Sequence, residues 1–223
     1  VFGVAFTALI LGLSGPVLAA DHPGAPRKIV VFQEWYVNEP GQEGILRGAG
    51  ATIIKPLPII NAWAVYLPQQ AERALIQRAE VRRIDPDAVV SIQAKPQPPP
   101  PPAETLPWGV DRIDADLVWD KLDPKLEIDP GANAGAGIKV AILDTGIDLD
   151  HPDLQANIGN SINTINPLKT ADDDNGHGSH VAGIIAGVDN SVGVLGVAPQ
   201  ASLLAAKVLN KAGSGFVSDI IEG

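Results

Sequence analysis

Ile138-Lys139-Val140-Ala141-Ile142-Leu143-Asp144-Thr145-Gly146 is the stretch that decides the fold of this chain. Its first six residues form a nearly continuous apolar run, the pattern of a strand buried in a parallel sheet. The run ends on a carboxylate and a small turn. That puts Asp144 at the C-terminal edge of an α/β sheet, where such folds place their chemistry. Further on, 178–186 reads as a helix, 201–209 as a second apolar strand, and another helix opens near Phe216. Strands that alternate with helices make this half of the chain α/β. Ahead of Ile138, 117–122 reads as a short helix and 129–137 as a Gly-rich loop.

Asp-Thr-Gly alone is ambiguous, because aspartic proteases also use it, as two carboxylates sharing one proton. That chemistry needs a second copy or a dimer, in an all-β setting; the sequence has no second copy, and the flanks read as helical. Asn175-Gly176-His177-Gly178-Ser179-His180-Val181-Ala182-Gly183 points elsewhere, and it holds two of the four histidines. Small residues flank His177 at the start of the predicted helix. The positive end of a helix favours a neutral imidazole, as a general base requires, and a buried aspartate can fix its tautomer. His177 and His180 lie three apart, but without a third soft ligand they make no zinc site. His180 reads as structural, Ser179 as a helix-packing residue, His151 as a turn residue and Asp172-Asp173-Asp174 as a solvated acidic loop.

The 223 residues include no cysteine and no methionine. Disulfides and thiolate metal sites are thereby excluded. The missing start residue and the end at Gly223, inside a starting helix, lead us to expect a piece of a longer protein. The net charge of -10 is uneven: 21–95 carries nine basic and eight acidic residues, 96–223 seven and eighteen. An acidic surface disfavours nucleic acid and anionic membranes as partners.

Four segments follow from composition. Residues 1–20 are uncharged, apolar to Leu13 and end in small residues, as a signal peptide does, so secretion is expected, with no membrane association after cleavage. Residues 21–95 hold a compact unit with strands at 28–32, 51–54, 61–66 and 88–92 and helices at 42–47 and 70–78. That order, β-α-β-β-α-β, is ferredoxin-like. Pro56 and Pro58 are expected to end the second strand early. Residues 96–107 are a linker containing the polyproline run Pro98–Pro102, and 108–223 are the α/β domain. Val188-Asp189-Asn190-Ser191-Val192-Gly193-Val194 alternates turn formers with apolar residues, so alternate carbonyls can face one hard cation.

Three stretches, IKVAILDTGIDLDHPDL (138–154), NGHGSHVAGIIAG (175–187) and GVLGVAPQASLLAAKVLNKAGSG (193–215), resemble the subtilisin-like serine peptidases. The resemblance implies a partial subtilisin-like parallel-sheet domain, the N-terminal half of a catalytic domain, preceded by a ferredoxin-like α+β inhibitory propeptide. It implies that Asp144 and His177 belong to an Asp-His-Ser triad hydrolysing peptide bonds. The family's Gly-Thr-Ser nucleophile motif does not occur in these residues, so this piece alone is expected to be inactive. The same resemblance makes 188–194 a structural calcium loop, with the carbonyls of Val188, Val192 and Val194, the side chain of Asn190, the carboxylate of Asp153 and Glu104 as ligands. It puts substrate against Gly213, Ser214 and Gly215, with Leu209 and Val217 lining the pocket for the fourth substrate residue. Polypeptide substrates, the chain's own propeptide as partner, a monomeric state and cleavage of the propeptide between Ile92 and Trp108 follow as expectations. The competing readings are a non-catalytic, propeptide-like binding protein and an aspartic protease acting through Asp144.

Overall fold

The computed structural model describes residues 24–36, 38–92, 103–120 and 127–223. The signal-peptide segment, the polyproline run and the end of the helix expected at 117–122 lie outside the described residues. Among those described, no helix is long and apolar enough to cross a membrane.

The first half runs β1 (Arg27–Phe32), α1 (Glu39–Gly48), β2 (Thr52–Leu57), β3 (Ala62–Tyr66), α2 (Gln69–Leu75) and β4 (Val81–Pro86). The four strands form one sheet in the order β2-β3-β1-β4, antiparallel throughout. Side chains alternate across a strand, and here both faces are covered. Val30, Phe32, Trp63 and Val65 pack with Leu46 of α1 and Ala71 and Leu75 of α2. Ile29, Val31, Ala62 and Ala64 form a second cluster with Leu57 on the opposite face. This is why β1 and β3 read as solid apolar runs rather than alternating ones. Gln42 of α1 is buried in the first cluster, accepting from Trp63 Nε1 and donating to Asn61 Oδ1, both at 2.8 Å. Its polar ends are satisfied there, as a buried amide requires.

Two expectations are corrected here. The second strand does not stop before Pro56; it runs to Leu57, with Pro56 opposite Trp63. The strand lies at the sheet edge, where a missing N–H can face solvent. The fourth strand of the sheet is β4, not 88–92. Its sequence, Val81-Arg82-Arg83-Ile84-Asp85-Pro86, hides it because an edge strand carries charge on its open side. Residues Val89–Ser91 form a separate strand, β5, which leaves the first half altogether. It pairs antiparallel with β9 (Ser214–Phe216) of the second half.

The second half contains α3 (Trp108–Arg112), α4 (Asp116–Trp119), β6 (Lys139–Asp144), β7 (Ile158–Asn163), α5 (His177–Ala186), β8 (Ser202–Lys207), β9 and α6 (Val217–Glu222). Strands β6, β8 and β7 form a parallel sheet with β8 in the middle. Ala182 and Ala186 of α5 pack with Ile142, Leu203 and Ala205 from the sheet. Among the described residues β6 lies at one end of this sheet, and Leu143 is 42% exposed. The two halves meet through α6. Val217 and Ile221 pack onto the cluster of Ile29, Val31, Leu57, Ala62 and Ala64.

Candidate active site

Register brings Asp144 to the end of β6, opposite Lys207 of β8. Its backbone carbonyl accepts from Val208 N and Leu209 N at 2.9 and 3.0 Å, which anchors the strand end. His177 is the first residue of α5. Its Nδ1 lies 2.8 Å from both Asp144 oxygens. Asp144 is buried, while the His177 side chain keeps 30% of its surface. With Nδ1 donating to the carboxylate, Nε2 is left with its lone pair, the state of a general base.

Glycine makes this approach feasible. A Cβ on Gly178 would stand 2.0 Å from Gly146 O and 3.2 Å from the Asp144 Cβ, so the helix start touches the strand end directly. Gly146 itself has φ +109° and room for no side chain against Ala171 O. Lys207 is buried and donates to Thr145 O and, at 2.6 Å, to Asp174 Oδ1.

The acidic run 172–174 is not uniformly solvated. Asp172 and Asp174 are exposed, but Asp173 is half-buried and accepts from Thr145 Oγ1, Asn175 N, Gly176 N, Ser179 N and Ser179 Oγ. Ser179, expected only to pack, donates to Asp173 and accepts from Asp148 N. A sequence signal for Asp173 exists: an aspartate two and three residues before amide donors at a helix start forms an Asx turn. Two flanking aspartates hide it.

The expected substrate edge lies beside the dyad, and a strand of the same chain occupies it. Val89, Val90 and Ser91 face Phe216, Gly215 and Ser214. Ile92 N donates to Gly213 O at 2.9 Å, and the Ser91 and Ser214 hydroxyls are 2.7 Å apart. Gly213 has φ +72°, and a Cβ there would reach 2.6 Å from the Ile92 side chain. A cavity at this edge is lined by Val90, Ile92, Asp144, Leu209 and Ile220, among others. Leu209 is among these lining residues and Val217 is not; Val217 packs against the four-stranded sheet, while Ile220, one helical turn on, lines the cavity.

The 188–194 loop closes over Asp153. Asp153 is 2% exposed; its Oδ2 accepts from Val194 N at 2.9 Å, while its Oδ1 is buried with no hydrogen-bond partner among the described residues. Burial raises its pKa above the ordinary carboxylate value, against the lowering effects of the Val194 N–H and His151. Glu104 Oε1 accepts from Asn190 N and Ser191 N at 2.9 and 3.1 Å, and Asn190 Oδ1 accepts from Val192 N. The bridge between Thr105 and Val194 ties this loop to the segment carrying Glu104, and the N–H of Val188 donates to Asp153 O. Among the described residues, no group of three or more His, Cys, Asp or Glu side chains gathers here.

A buried carboxylate thus holds an imidazole at the C-terminal edge of a parallel sheet, beside an edge paired with an extended strand. The family comparison makes this specific: residues 135–223 match the model of the subtilase family. Subtilisin Savinase of Lederbergia lenta is 46% identical over 121 residues, 54% of this chain and 40% of that protein. Subtilisin E of Bacillus subtilis (strain 168) is 34% identical over 184 residues, 82% of the chain and 42% of that protein. Subtilisin J of Geobacillus stearothermophilus is 34% identical over 212 residues, 93% of the chain and 50% of that protein. Residues 135–223 therefore belong to the subtilase family, and the chain spans half or less of these relatives' length.

Proposed function

We propose that the protein to which these residues belong is a secreted serine endopeptidase, made as a precursor whose residues 21–95 are a ferredoxin-like inhibitory propeptide. The observation that carries the reading is the Asp144–His177 pair at 2.8 Å beside an edge strand that already holds an antiparallel peptide. Strand addition offers main-chain hydrogen bonds to any extended polypeptide, which suits a protease and its own inhibitory tail alike. An aspartic protease would need a second carboxylate facing Asp144; the group facing it is an imidazole.

In this mechanism His177 Nε2 takes the proton of a serine hydroxyl as its oxygen attacks the scissile carbonyl. Asp144 holds the Nδ1–H and stabilises the imidazolium. The proton then passes to the leaving amine, and water repeats the sequence on the acyl-enzyme. These residues contain no Gly-Thr-Ser run, so in this reading the serine lies outside them.

The grip on β5 supports autoinhibition. Asp87, just before β5, accepts from Ser218 N at 2.9 Å and Ser218 Oγ at 2.8 Å, and pairs with Arg27, whose guanidinium lies 3.5 Å from the Phe216 ring centre. Lys55 bridges to Asp219 and Glu222. Polar contacts at both ends of α6 and the apolar contacts between them fix how the unit sits. The tail β5 is thereby led into the substrate edge.

Calcium fits the 188–194 loop. Asp153 Oδ1, which has no hydrogen-bond partner among the described residues, would join the Glu104 carboxylate, the Asn190 side chain and the carbonyls of Val188, Val192 and Val194 as an all-oxygen set suited to a hard cation. Calcium bound there would supply charge that offsets the burial of Asp153 and would tie the loop to the segment of Glu104.

The test is inhibition of the complete protein. Phenylmethylsulfonyl fluoride should abolish its peptide hydrolysis and pepstatin should leave it untouched. Pepstatin-sensitive, sulfonyl-fluoride-resistant hydrolysis would overturn the assignment.

A further inference from the structure

Asp173 connects the two segments that carry the dyad. Its Oδ1 accepts from Thr145 Oγ1 at 2.8 Å and from the N–H groups of Asn175 and Gly176, both at 2.9 Å. Its Oδ2 accepts from Ser179 N at 2.9 Å and Ser179 Oγ at 2.6 Å. The donors come from three places: the residue after Asp144, the turn before His177 and the first turn of α5 after it. Thr145 closes the circuit, since its N–H donates to Asp144 Oδ1 at 2.7 Å and its Oγ1 accepts from Gly178 N at 3.0 Å. An ordinary helix cap needs only the helix amides; the bond to Thr145 crosses to the other segment. Burial alone would raise the Asp173 pKa, but the bonds from Gly176, Ser179 and Asn175 outweigh it and hold the group below the ordinary aspartate value. The carboxylate is thus ionised wherever a histidine base is useful, and its acceptor sites are filled by oriented donors.

We propose that Asp173 is a positioning residue of the catalytic site, holding the strand end of Asp144 and the helix start of His177 at bonding distance. Its hydrogen bonds go to Thr145, Asn175, Gly176 and Ser179 rather than to the imidazole, and it acts through them. The proposal rests on the protease reading of the dyad for its effect on turnover, but its effect on dyad geometry is measurable without turnover.

Asp173→Asn preserves size and one acceptor oxygen but turns an NH2 group toward at least one of the five donors. Asp172→Asn is the control: it removes the same charge one residue away, where the side chain accepts only from Leu149 N among the bonds described. In the complete protein, Asp173→Asn should lower kcat about 100-fold, the scale of a roughly 1 Å misplacement, with KM changed by about threefold or less. Asp172→Asn should leave both near wild type. In the 223-residue chain, nuclear magnetic resonance should show the His177 Nδ1 proton protected by Asp144 in wild type and Asp172→Asn. In Asp173→Asn that proton should be lost to exchange. Thr145→Val, which cuts the same link from the other side, should lower kcat in the same direction and serves if Asp173→Asn does not fold. An intact Nδ1 proton with unchanged kcat in either linking variant would overturn the proposal. So would an equal loss in Asp172→Asn, which would make the effect one of charge rather than position. If wild-type complete protein fails to hydrolyse peptides, the protease reading falls, while the proton comparison still decides the positioning role.

Discussion

Adding one methyl group at Gly178 should have the opposite effect from adding one at Gly183, although both lie in α5. Helix propensity alone favours Ala over Gly by about 1 kcal/mol at either position. At Gly183 the new Cβ would lie 3.8 Å from the nearest atom, Val194 Cγ2, an ordinary contact. At Gly178 it would lie 2.0 Å from Gly146 O, a backbone atom that no rotamer change can move, and 3.2 Å from the Asp144 Cβ. Restoring a normal contact there requires a shift on the order of 1 Å, and overpacking of this kind costs about 1–3 kcal/mol. With the backbone as the obstacle, the upper end applies, leaving a net loss of about 2 kcal/mol after the gain in propensity. For a chain of this size that lowers Tm by about 4–8 °C, whereas Gly183→Ala should raise it by about 2–4 °C. Thermal unfolding followed by circular dichroism measures both. In the complete protein the same 1 Å shift separates Asp144 from His177, and kcat should fall about 100-fold. A Gly178→Ala protein that melts at or above wild type would refute the direct contact between helix start and strand end.

Other outcomes follow from the remaining contacts. Burial raises the Asp153 pKa, so the ion-free folded chain holds this proton more tightly than the unfolded chain. Ionisation then costs stability as pH rises through the raised pKa. At pH 7 in chelator, Asp153→Asn should melt at or above wild type. In calcium the order should reverse, because a cation that binds only the folded state adds stability that the variant lacks. Identical melting in both conditions would make the site a plain turn. Lys55→Ala in a separately produced 21–95 segment leaves the largely buried Asp219 without its cation. It should weaken inhibition of the mature enzyme about 30-fold, corresponding to about 2 kcal/mol for breaking one partner of such a pair. Unchanged inhibition constants would show that the apolar face of the sheet alone governs docking.

The central elements were legible because their signals are local. A strand running into Asp144 and a small-residue helix starting at His177 each announce themselves within ten residues. The elements that escaped depend on partners far along the chain. β4 carries Arg82, Arg83 and Asp85 on an edge, so periodicity does not find it. β5 looks like the last strand of its own unit, yet its partner is β9, 127 positions on from Val89 to Phe216 at the widest. Val217 and Ile220 lie one turn apart on α6, and only the docking of the four-stranded sheet decides which of them faces the cavity. Asp173 sits in a triplet of aspartates whose burial differs because one of the three points into the junction of strand and helix.

Replacing His177 by Ala in the complete protein tests the central claim most directly, with hydrolysis of an unstructured peptide by the mature enzyme as the readout. His177→Ala removes the base that accepts the nucleophile's proton, and kcat/KM should fall by about 10⁴-fold or more, with folding intact by circular dichroism. A folded His177→Ala enzyme that hydrolyses the peptide within about tenfold of wild type would contradict the account.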